Sequence, residues 1–268
     1  MRDTFTLVRS AGPETPVVVE VPHAGLAVPD DARGTILAGP LDLLRDSDPF
    51  VDRIWESAPT HGASLLCAHV SRYVVDLNRA PDDIGRDVVP DHPAPRPTQP
   101  RGVVWRVTSD GRPAMARALS HHELQARLAR YHAPYHEALH AELERKKARF
   151  GRVLLVAAHS MPSRGRAQER RADVVPGSRG GTTCGREVLH ELEDLARDAQ
   201  LSLRHDDPYR GGWTTGRWGR PADGIQAVQI ELSRALYLDE TSLLPDERGI
   251  ARLAELVGRI CHRFGVVV

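Results

Sequence analysis

The stretch that decides the fold reads Val17-Val18-Val19-Glu20-Val21-Pro22-His23-Ala24-Gly25. Its run of β-branched residues is typical of a buried strand. The strand ends where Pro22 and Gly25 indicate a turn, and His23 is the first residue beyond it that can do chemistry. Because open α/β sheets bind ligands at the carboxyl ends of their strands, we expect a functional site at this edge of the sheet.

Further apolar runs along the chain have the length and composition of buried strands. They cover residues 63–70, 73–77, 153–158 and 225–232. Helical segments alternate with them, and one helix is predicted to begin with Asp48 as its N-cap and Pro49 at its first helical position. This alternation predicts an α/β fold with a mixed, mostly parallel sheet flanked by helices. The length of the chain suits one large domain over residues 1–268 or two small ones, and we expect the single domain.

The composition is that of a globular protein with little net charge. The chain has 268 residues, of which 41% are hydrophobic and 27% charged, and its formal net charge is zero. This balance argues against a nucleic-acid surface, and no apolar stretch reaches the roughly 18 residues of a membrane helix. The three cysteines have no paired spacing, and the N-terminus lacks a signal-peptide pattern. We therefore expect a cytoplasmic protein with no nucleic-acid or membrane partner.

Two histidines and two aspartates are candidate ligands of a catalytic zinc ion. Such an ion commonly has three protein ligands, drawn from histidines and carboxylates, and leaves one position for water. His23 and His159 each follow an apolar run, and Asp46 or Asp48 can supply the carboxylate. Each histidine taken alone is more often structural, and Asp48 is equally well explained as a helix N-cap.

The segment Asp76-Leu77-Asn78-Arg79 is stronger evidence for a functional site than the isolated histidines and aspartates are. Asp76 can accept the ring N–H of a metal-binding histidine and so fix its tautomer. Arg79 offers a planar fork that suits a substrate carboxylate, and Asn78 can help to hold that group. The alternative is a solvated polar turn. Arg72 lies four residues before Asp76 and has two equally good interpretations. It stabilises an oxyanion or a second carboxylate, or it is a surface arginine.

Glu231 lies within the apolar run over residues 225–232, where an unpaired carboxylate is costly. A general base that takes a proton from zinc-bound water explains its position, and a salt bridge to Arg234 is the weaker alternative. Two glycine-rich segments, 173–184 and 208–219, are predicted to be loops. The second resembles a pocket lid, and its Arg210 or Arg217 can hold an acidic group of the substrate.

Taken together, these segments resemble the N-formylglutamate amidohydrolases, also called N-formylglutamate deformylases, of histidine degradation. The matching segments are residues 21–25, 46–48, 71–79, 158–160, 173–184, 210–215 and 229–232. The family is similar in architecture to the zinc carboxypeptidases. The resemblance therefore implies a carboxypeptidase-like sheet, of the phosphorylase/hydrolase-like type, with the metal at the strand ends.

The resemblance also implies roles for individual residues. His23 and His159 would bind one zinc ion together with Asp46 or Asp48, and Asp46 is preferred because Asp48 has the capping alternative. Glu231 matches the catalytic carboxylate. The expected activity is metal-dependent hydrolysis of a small N-acyl amino acid such as N-formyl-L-glutamate. The alternatives are a zinc carboxypeptidase or another N-acyl-amino-acid hydrolase, and a non-catalytic relative that binds a small carboxylate.

Overall fold

The computed structural model describes residues 4–97 and 101–267, and it has a mixed six-stranded β-sheet flanked by helices. The spatial order of the strands is β1-β3-β2-β4-β6-β5. Their bounds are β1 Phe5–Val8, β2 Val17–Val21, β3 Ser64–Ala68, β4 Val153–Met161, β5 Val174–Gly177 and β6 Ile225–Ser233. The predicted fold class of a mixed α/β sheet with helices is confirmed.

The centre of the sheet consists of β2, β4 and β6, in which every residue is buried. β2 pairs with β4 and β4 pairs with β6, both in parallel, whereas β5 runs antiparallel to β6. Burial on both faces explains the nearly continuous apolar sequence of these strands. β4 extends beyond the predicted apolar run, so that His159 lies inside the strand rather than after it. Glu231 lies inside β6, as its position in the apolar run predicts.

Helices pack against the central strands and against one another. α3 contacts β2 and β4, α8 contacts α3 and α6, and α7 contacts β4 and β6. Within residues 4–97 and 101–267, no helix is at once long enough and apolar enough to cross a membrane. The α-helices are α1 Asp30–Arg33, α2 Pro40–Asp46, α3 Val51–Trp55, α4 His121–Arg127, α5 Ala133–Phe150, α6 Arg186–Asp198, α7 Trp213–Trp218 and α8 Glu247–Val267.

The chain forms two compact units, each assembled from several stretches of sequence. Unit 1 contains Met1–Thr6, Pro22–Pro49 and Cys67–Ala138, and unit 2 contains Leu7–Val21, Phe50–Leu66 and Leu139–Val268. Unit 1 has a small apolar cluster of Tyr73, Trp105 and Ala114. Unit 2 contains the central strands and their helices. One domain over residues 1–268 stays a prediction.

Two sequence-based expectations about local structure are wrong. The apolar run over residues 73–77 is not a strand but part of a buried turn, in which the amide of Val74 donates to the carbonyl of Ser71. Asp48 does not cap a helix either, because α3 begins at Val51 with Phe50 as its N-cap in a left-handed conformation. The amide of Asp48 instead donates to the carbonyl of His23 at 3.0 Å. Asp48 therefore belongs to the loop beside His23.

The packing of α5 against β3 includes a buried carboxylate, Glu142. Its oxygens accept hydrogen bonds from Arg9 Nε at 2.9 Å, Ser64 Oγ at 2.6 Å and Arg145 Nη2 at 2.7 Å. Burial alone would raise the pKa of Glu142, but the hydrogen bonds from Arg145 and Ser64 outweigh it and lower the pKa to about 2. The ionised carboxylate therefore stabilises the fold.

We expect Glu142→Gln to lower the free energy of unfolding by about 2 kcal/mol at pH 7, less than for a fully buried pair because Arg9 and Arg145 are partly exposed. The stabilisation is present above the unfolded-state pKa near 4.5 and is lost as pH falls toward about 2. Urea titrations should therefore show the two proteins converging over that pH window. A constant difference would contradict the role of ionised Glu142.

Candidate active site

Asp76 is the centre of a hydrogen-bond network in unit 1. Its Oδ1 atom accepts from His23 Nε2 at 2.8 Å and from the amide of Asn78 at 2.9 Å. Its Oδ2 atom accepts from Arg72 Nη2 at 2.7 Å, from Arg72 Nε at 3.1 Å and from Trp105 Nε1 at 2.9 Å. Both oxygens of this fully buried carboxylate are therefore satisfied, and His23 and Arg72 are fixed in orientation.

The charge of Asp76 determines the tautomer of His23. Burial alone would raise the pKa of Asp76, but the nearby charge of Arg72 and the hydrogen bond from His23 outweigh it and hold the pKa well below its usual range. An ionised Asp76 accepts a hydrogen bond from the Nε2–H group of His23, which leaves Nδ1 as the nitrogen available to a metal. That Nδ1 lies 3.5 Å from Asp48 Oδ2. The predicted support of His23 by Asp76 corresponds to this geometry.

Asp46 is occupied by other partners. Its Oδ2 atom accepts from the hydroxyl of Tyr73 and from the amide of Ser109 at 2.8 Å, and its Oδ1 atom accepts from the hydroxyl of Ser109. Burial and the hydrogen bond to Asp46 both raise the pKa of Tyr73 far above its ordinary value, so the phenol remains a donor. Asp46 thus joins α2 to the loop containing Ser109, and the preference for it as a metal ligand is not supported.

Arg72 is held more tightly than a surface arginine. It donates to Asp76 and, through Nη1, to the carbonyl of Asp46 at 3.2 Å, and its guanidinium lies 4.2 Å from the centre of the Trp105 ring. These bonds use three of its five N–H groups, which leaves two for another acceptor. Trp105 was not predicted as part of the site. Its only sequence signal is a lone tryptophan in an irregular segment.

Asn78 and Arg79 lie in the turn that follows Asp76. The carbonyl groups of this turn bond to the ring nitrogens of His132 and His136, at 3.0 Å for Arg79 and 2.9 Å for Leu77. Arg79 Nε is buried and has no hydrogen-bond partner among residues 4–97 and 101–267. A buried guanidinium nitrogen without a partner is costly, which suits a side chain that binds an anionic ligand.

In unit 2, His159 and Glu231 are neighbours across the sheet. They are paired in the parallel register of β4 and β6, so their side chains project from the same face. Glu231 is buried and its Oε1 atom accepts from Gln229 Nε2 at 2.7 Å. Arg234, the suggested partner of Glu231, donates to Ser160 Oγ at 3.4 Å. Gln229 was not predicted to have a role, although it lies two residues before Glu231 and therefore on the same face.

The two glycine-rich segments are more ordered than predicted. The first contains β5, and the following turn is held by Asp206, which accepts from the amides of Ser178 at 2.7 Å and Gly180 at 2.8 Å. The second contains the short helix α7. Arg210 is exposed just before α7, and Arg217 is exposed within it, with its guanidinium 5.1 Å from the centre of the Trp218 ring. Both arginines are accessible to a ligand.

Three buried side chains form a candidate metal centre. One ring nitrogen each of His23 and His159 and a carboxylate oxygen of Asp48 lie within 4.8 Å of one another. Two imidazoles and a carboxylate are a donor set found in catalytic zinc sites, where a further position stays open. Of the two aspartates considered from the sequence, the structure therefore favours Asp48.

Solved structures share the fold of this chain. The crystal structure of N-formylglutamate amidohydrolase from Ralstonia eutropha JMP134 matches with a TM-score of 0.88 and 32% sequence identity, over 98% of this chain and 97% of that chain. A gene product of Agrobacterium tumefaciens matches in fold alone, with a TM-score of 0.69 and 20% identity, over 96% and 94% of the two chains. The first likeness places the chain in the amidohydrolase class of α/β proteins.

Sequence comparison narrows this class to a family. N-formylglutamate deformylase of Pseudomonas aeruginosa is 33% identical over 233 residues, which cover 84% of this chain and 83% of the relative. The deformylase of Pseudomonas putida is 30% identical over 247 residues, covering 90% and 89%. The family model of N-formylglutamate amidohydrolases matches residues 15–238. The chain belongs to the N-formylglutamate amidohydrolase family, as its sequence motifs predicted.

Proposed function

We propose that this protein hydrolyses N-formyl-L-glutamate to formate and L-glutamate and that the reaction depends on a divalent metal ion, which we take to be zinc. The observation that carries the metal requirement is the buried set of His23, Asp48 and His159. The substrate is supported by the relatives, whose activity is that of N-formylglutamate deformylases.

The donor atoms of this set fit a metal ion. His23 donates through Nε2 to Asp76, so that its Nδ1 lone pair faces the carboxylate of Asp48. Both of these atoms present lone pairs, so they repel one another, and a cation bound to both would remove this repulsion. Their separation of 3.5 Å agrees with that of two ligands at about 2.0–2.1 Å from one tetrahedral zinc ion. Zinc in such a site supplies a water of lowered pKa and polarises a carbonyl group.

The chain's own residues provide the proton transfer. Glu231 accepts a proton from the water that attacks the formyl carbon, and later donates a proton to the departing amine. The burial of Glu231 and its hydrogen bond from Gln229 hold the carboxylate in one orientation for both transfers. Arg72 has two N–H groups left for the oxyanion that develops on the formyl oxygen. The departure of glutamate then completes the reaction.

The carboxylates of the substrate require positive charge. Arg79 and Asn78 bind the α-carboxylate in this proposal, which is supported by the buried and unpartnered Arg79 Nε atom. Arg210 or Arg217 binds the side-chain carboxylate, because both are exposed cations on the segment around α7. A glutamyl substrate thereby engages one arginine at each carboxylate.

We expect Arg79→Lys to raise the KM for N-formyl-L-glutamate by about tenfold or more, because an ammonium group cannot reproduce a bidentate carboxylate contact. The kcat should change much less, since Arg79 is not assigned a role in proton transfer. Initial-rate measurements over a range of substrate concentrations test this split. An unchanged KM would remove Arg79 from the binding site, and Arg130→Lys, which alters an exposed ion pair with Asp31, is the matched control.

The deciding experiment measures glutamate released from N-formyl-L-glutamate by the purified protein. We expect turnover that a chelator abolishes and that zinc restores. Turnover that survives complete metal removal would refute the metal requirement. If the metal-loaded protein does not hydrolyse N-formyl-L-glutamate but cleaves other N-acyl amino acids or peptides, the proposed substrate is wrong. A metal-free protein without any turnover would favour the carboxylate-binding alternative.

A further inference from the structure

Gln229 joins the proposed general base to the segment that precedes α7. Its Nε2 atom donates to Glu231 Oε1 at 2.7 Å, and its Oε1 atom accepts from the amide of Gly212 at 2.8 Å. Gly212 is the N-cap residue of α7 and lies between Arg210 and Arg217 in sequence. One buried side chain therefore contacts both the carboxylate of β6 and the backbone of the arginine-bearing segment.

The two partners fix the orientation of the Gln229 amide. The amide of Gly212 is only a donor, so it requires the oxygen of Gln229, and the Glu231 carboxylate requires a donor, which is the nitrogen. The reversed amide would place two donors together on one side and two acceptors together on the other. Since both groups of the side chain are used, displacing either partner disturbs the other.

Small residues beside Gln229 make this arrangement feasible. Its neighbours in register are Ala157 on β4 and Gly177 on β5, so no large side chain flanks it on either strand. A Cβ atom at Gly177 would lie 2.5 Å from the backbone nitrogen of Gly211. The absence of that atom lets the segment around Gly211 and Gly212 approach the sheet closely enough to reach Gln229.

We propose that Gln229 is a positioning residue that sets the orientation of Glu231 and ties it to the position of residues 208–219, which contain the proposed side-chain-binding arginines. This inference rests on the proposed function for its catalytic consequence, but not for the contact itself. The hydrogen bond from Gln229 Nε2 orients Glu231 and therefore affects proton transfer and kcat. The hydrogen bond that Gln229 Oε1 accepts from Gly212 holds the segment before α7 in place and therefore affects KM.

Gln229→Met removes both hydrogen bonds with little change in side-chain volume. We expect kcat to fall about 10- to 100-fold, as a misplaced catalytic group would cause, and KM to rise. Gln226→Met is the matched control. Gln226 lies on the same strand, is also buried, accepts from the amide of Gly185 at 2.6 Å and donates to Glu187 at 3.3 Å. This control should lose stability but keep kcat and KM.

A double variant distinguishes a positioning role of Gln229 from general damage to the fold. When Gln229→Met is added to Glu231→Gln, the further loss in kcat should vanish, because the carboxylate that it orients is already gone. The rise in KM should remain. An equal loss of kcat in both backgrounds, or an unchanged kcat in Gln229→Met alone, would overturn the proposal.

Hydrogen–deuterium exchange tests the contact without any substrate. The peptide covering residues 208–219 should exchange faster in Gln229→Met than in the parent protein or in Gln226→Met. Unchanged exchange of this peptide would overturn the link to α7 whatever the activity. If the parent protein does not hydrolyse N-formyl-L-glutamate, the proposed function fails, while faster exchange would still support the link and unchanged exchange would still refute it.

Discussion

Glu231→Gln is expected to bind zinc normally and to lose about a thousandfold in kcat, within the range that general acid–base catalysis supplies. A glutamine amide preserves the size of the side chain but accepts no proton from the attacking water. Because Glu231 is not one of the three proposed ligands, metal content should remain near one ion per chain. Elemental analysis and initial rates of glutamate release, measured on the same preparation, provide both quantities.

The control for this experiment is a second buried carboxylate on another element. Glu142→Gln should keep kcat while it loses stability, since Glu142 binds Arg9, Ser64 and Arg145. Substantial residual kcat in Glu231→Gln would show that another group accepts the proton. Loss of the metal in this variant would instead show that Glu231 is a ligand, and the proposed division of roles would be wrong.

Asp48→Asn should reduce zinc affinity by more than about a hundredfold, the upper end of what losing an outer hydrogen-bond partner costs, and should abolish activity at low zinc. The amide is neutral and is a poor zinc ligand compared with a carboxylate. Competition with a chromogenic chelator measures the affinity. Addition of excess zinc should recover part of the rate, because His23 and His159 remain.

Asp46→Asn is the matched comparison, since Asp46 lies two residues away and is equally buried. Its oxygens accept from Tyr73 and Ser109, so we expect a loss of stability with zinc affinity near that of the parent. The opposite pattern, with zinc affinity lost in Asp46→Asn and kept in Asp48→Asn, would restore Asp46 as the ligand.

The strands of the sheet are predictable from sequence because buried parallel strands have a distinctive composition. The bounds of β2 agree with the prediction almost to the residue, and the apolar runs over 153–158 and 225–232 lie within β4 and β6. The polar residues within or after these strands, His23, His159 and Glu231, are therefore candidate site residues on sequence grounds alone. A charged or titratable residue inside an apolar strand is informative because its burial is costly.

The irregular parts of the site are not predictable to the same degree. Residues 73–77 have strand-like composition, but their backbone forms a turn whose burial comes from tertiary packing of Tyr73 against Trp105. Asp48 resembles an N-cap in sequence, yet the left-handed conformation of Phe50 delays the start of the helix. The choice between Asp46 and Asp48 depends on partners distant in sequence, such as Ser109, which no local pattern reveals.

The parallel register of β4 and β6 has a consequence for how this chain can evolve. His159 and Glu231 share a face only because the two strands are aligned as they are. Inserting or deleting one residue within either strand would turn the following side chains to the opposite face and separate the pair. Insertions and deletions within residues 153–161 and 225–233 are therefore expected to abolish activity, whereas surface loops elsewhere can lengthen or shorten. Divergence in this protein must proceed by substitution in the sheet and by insertion outside it.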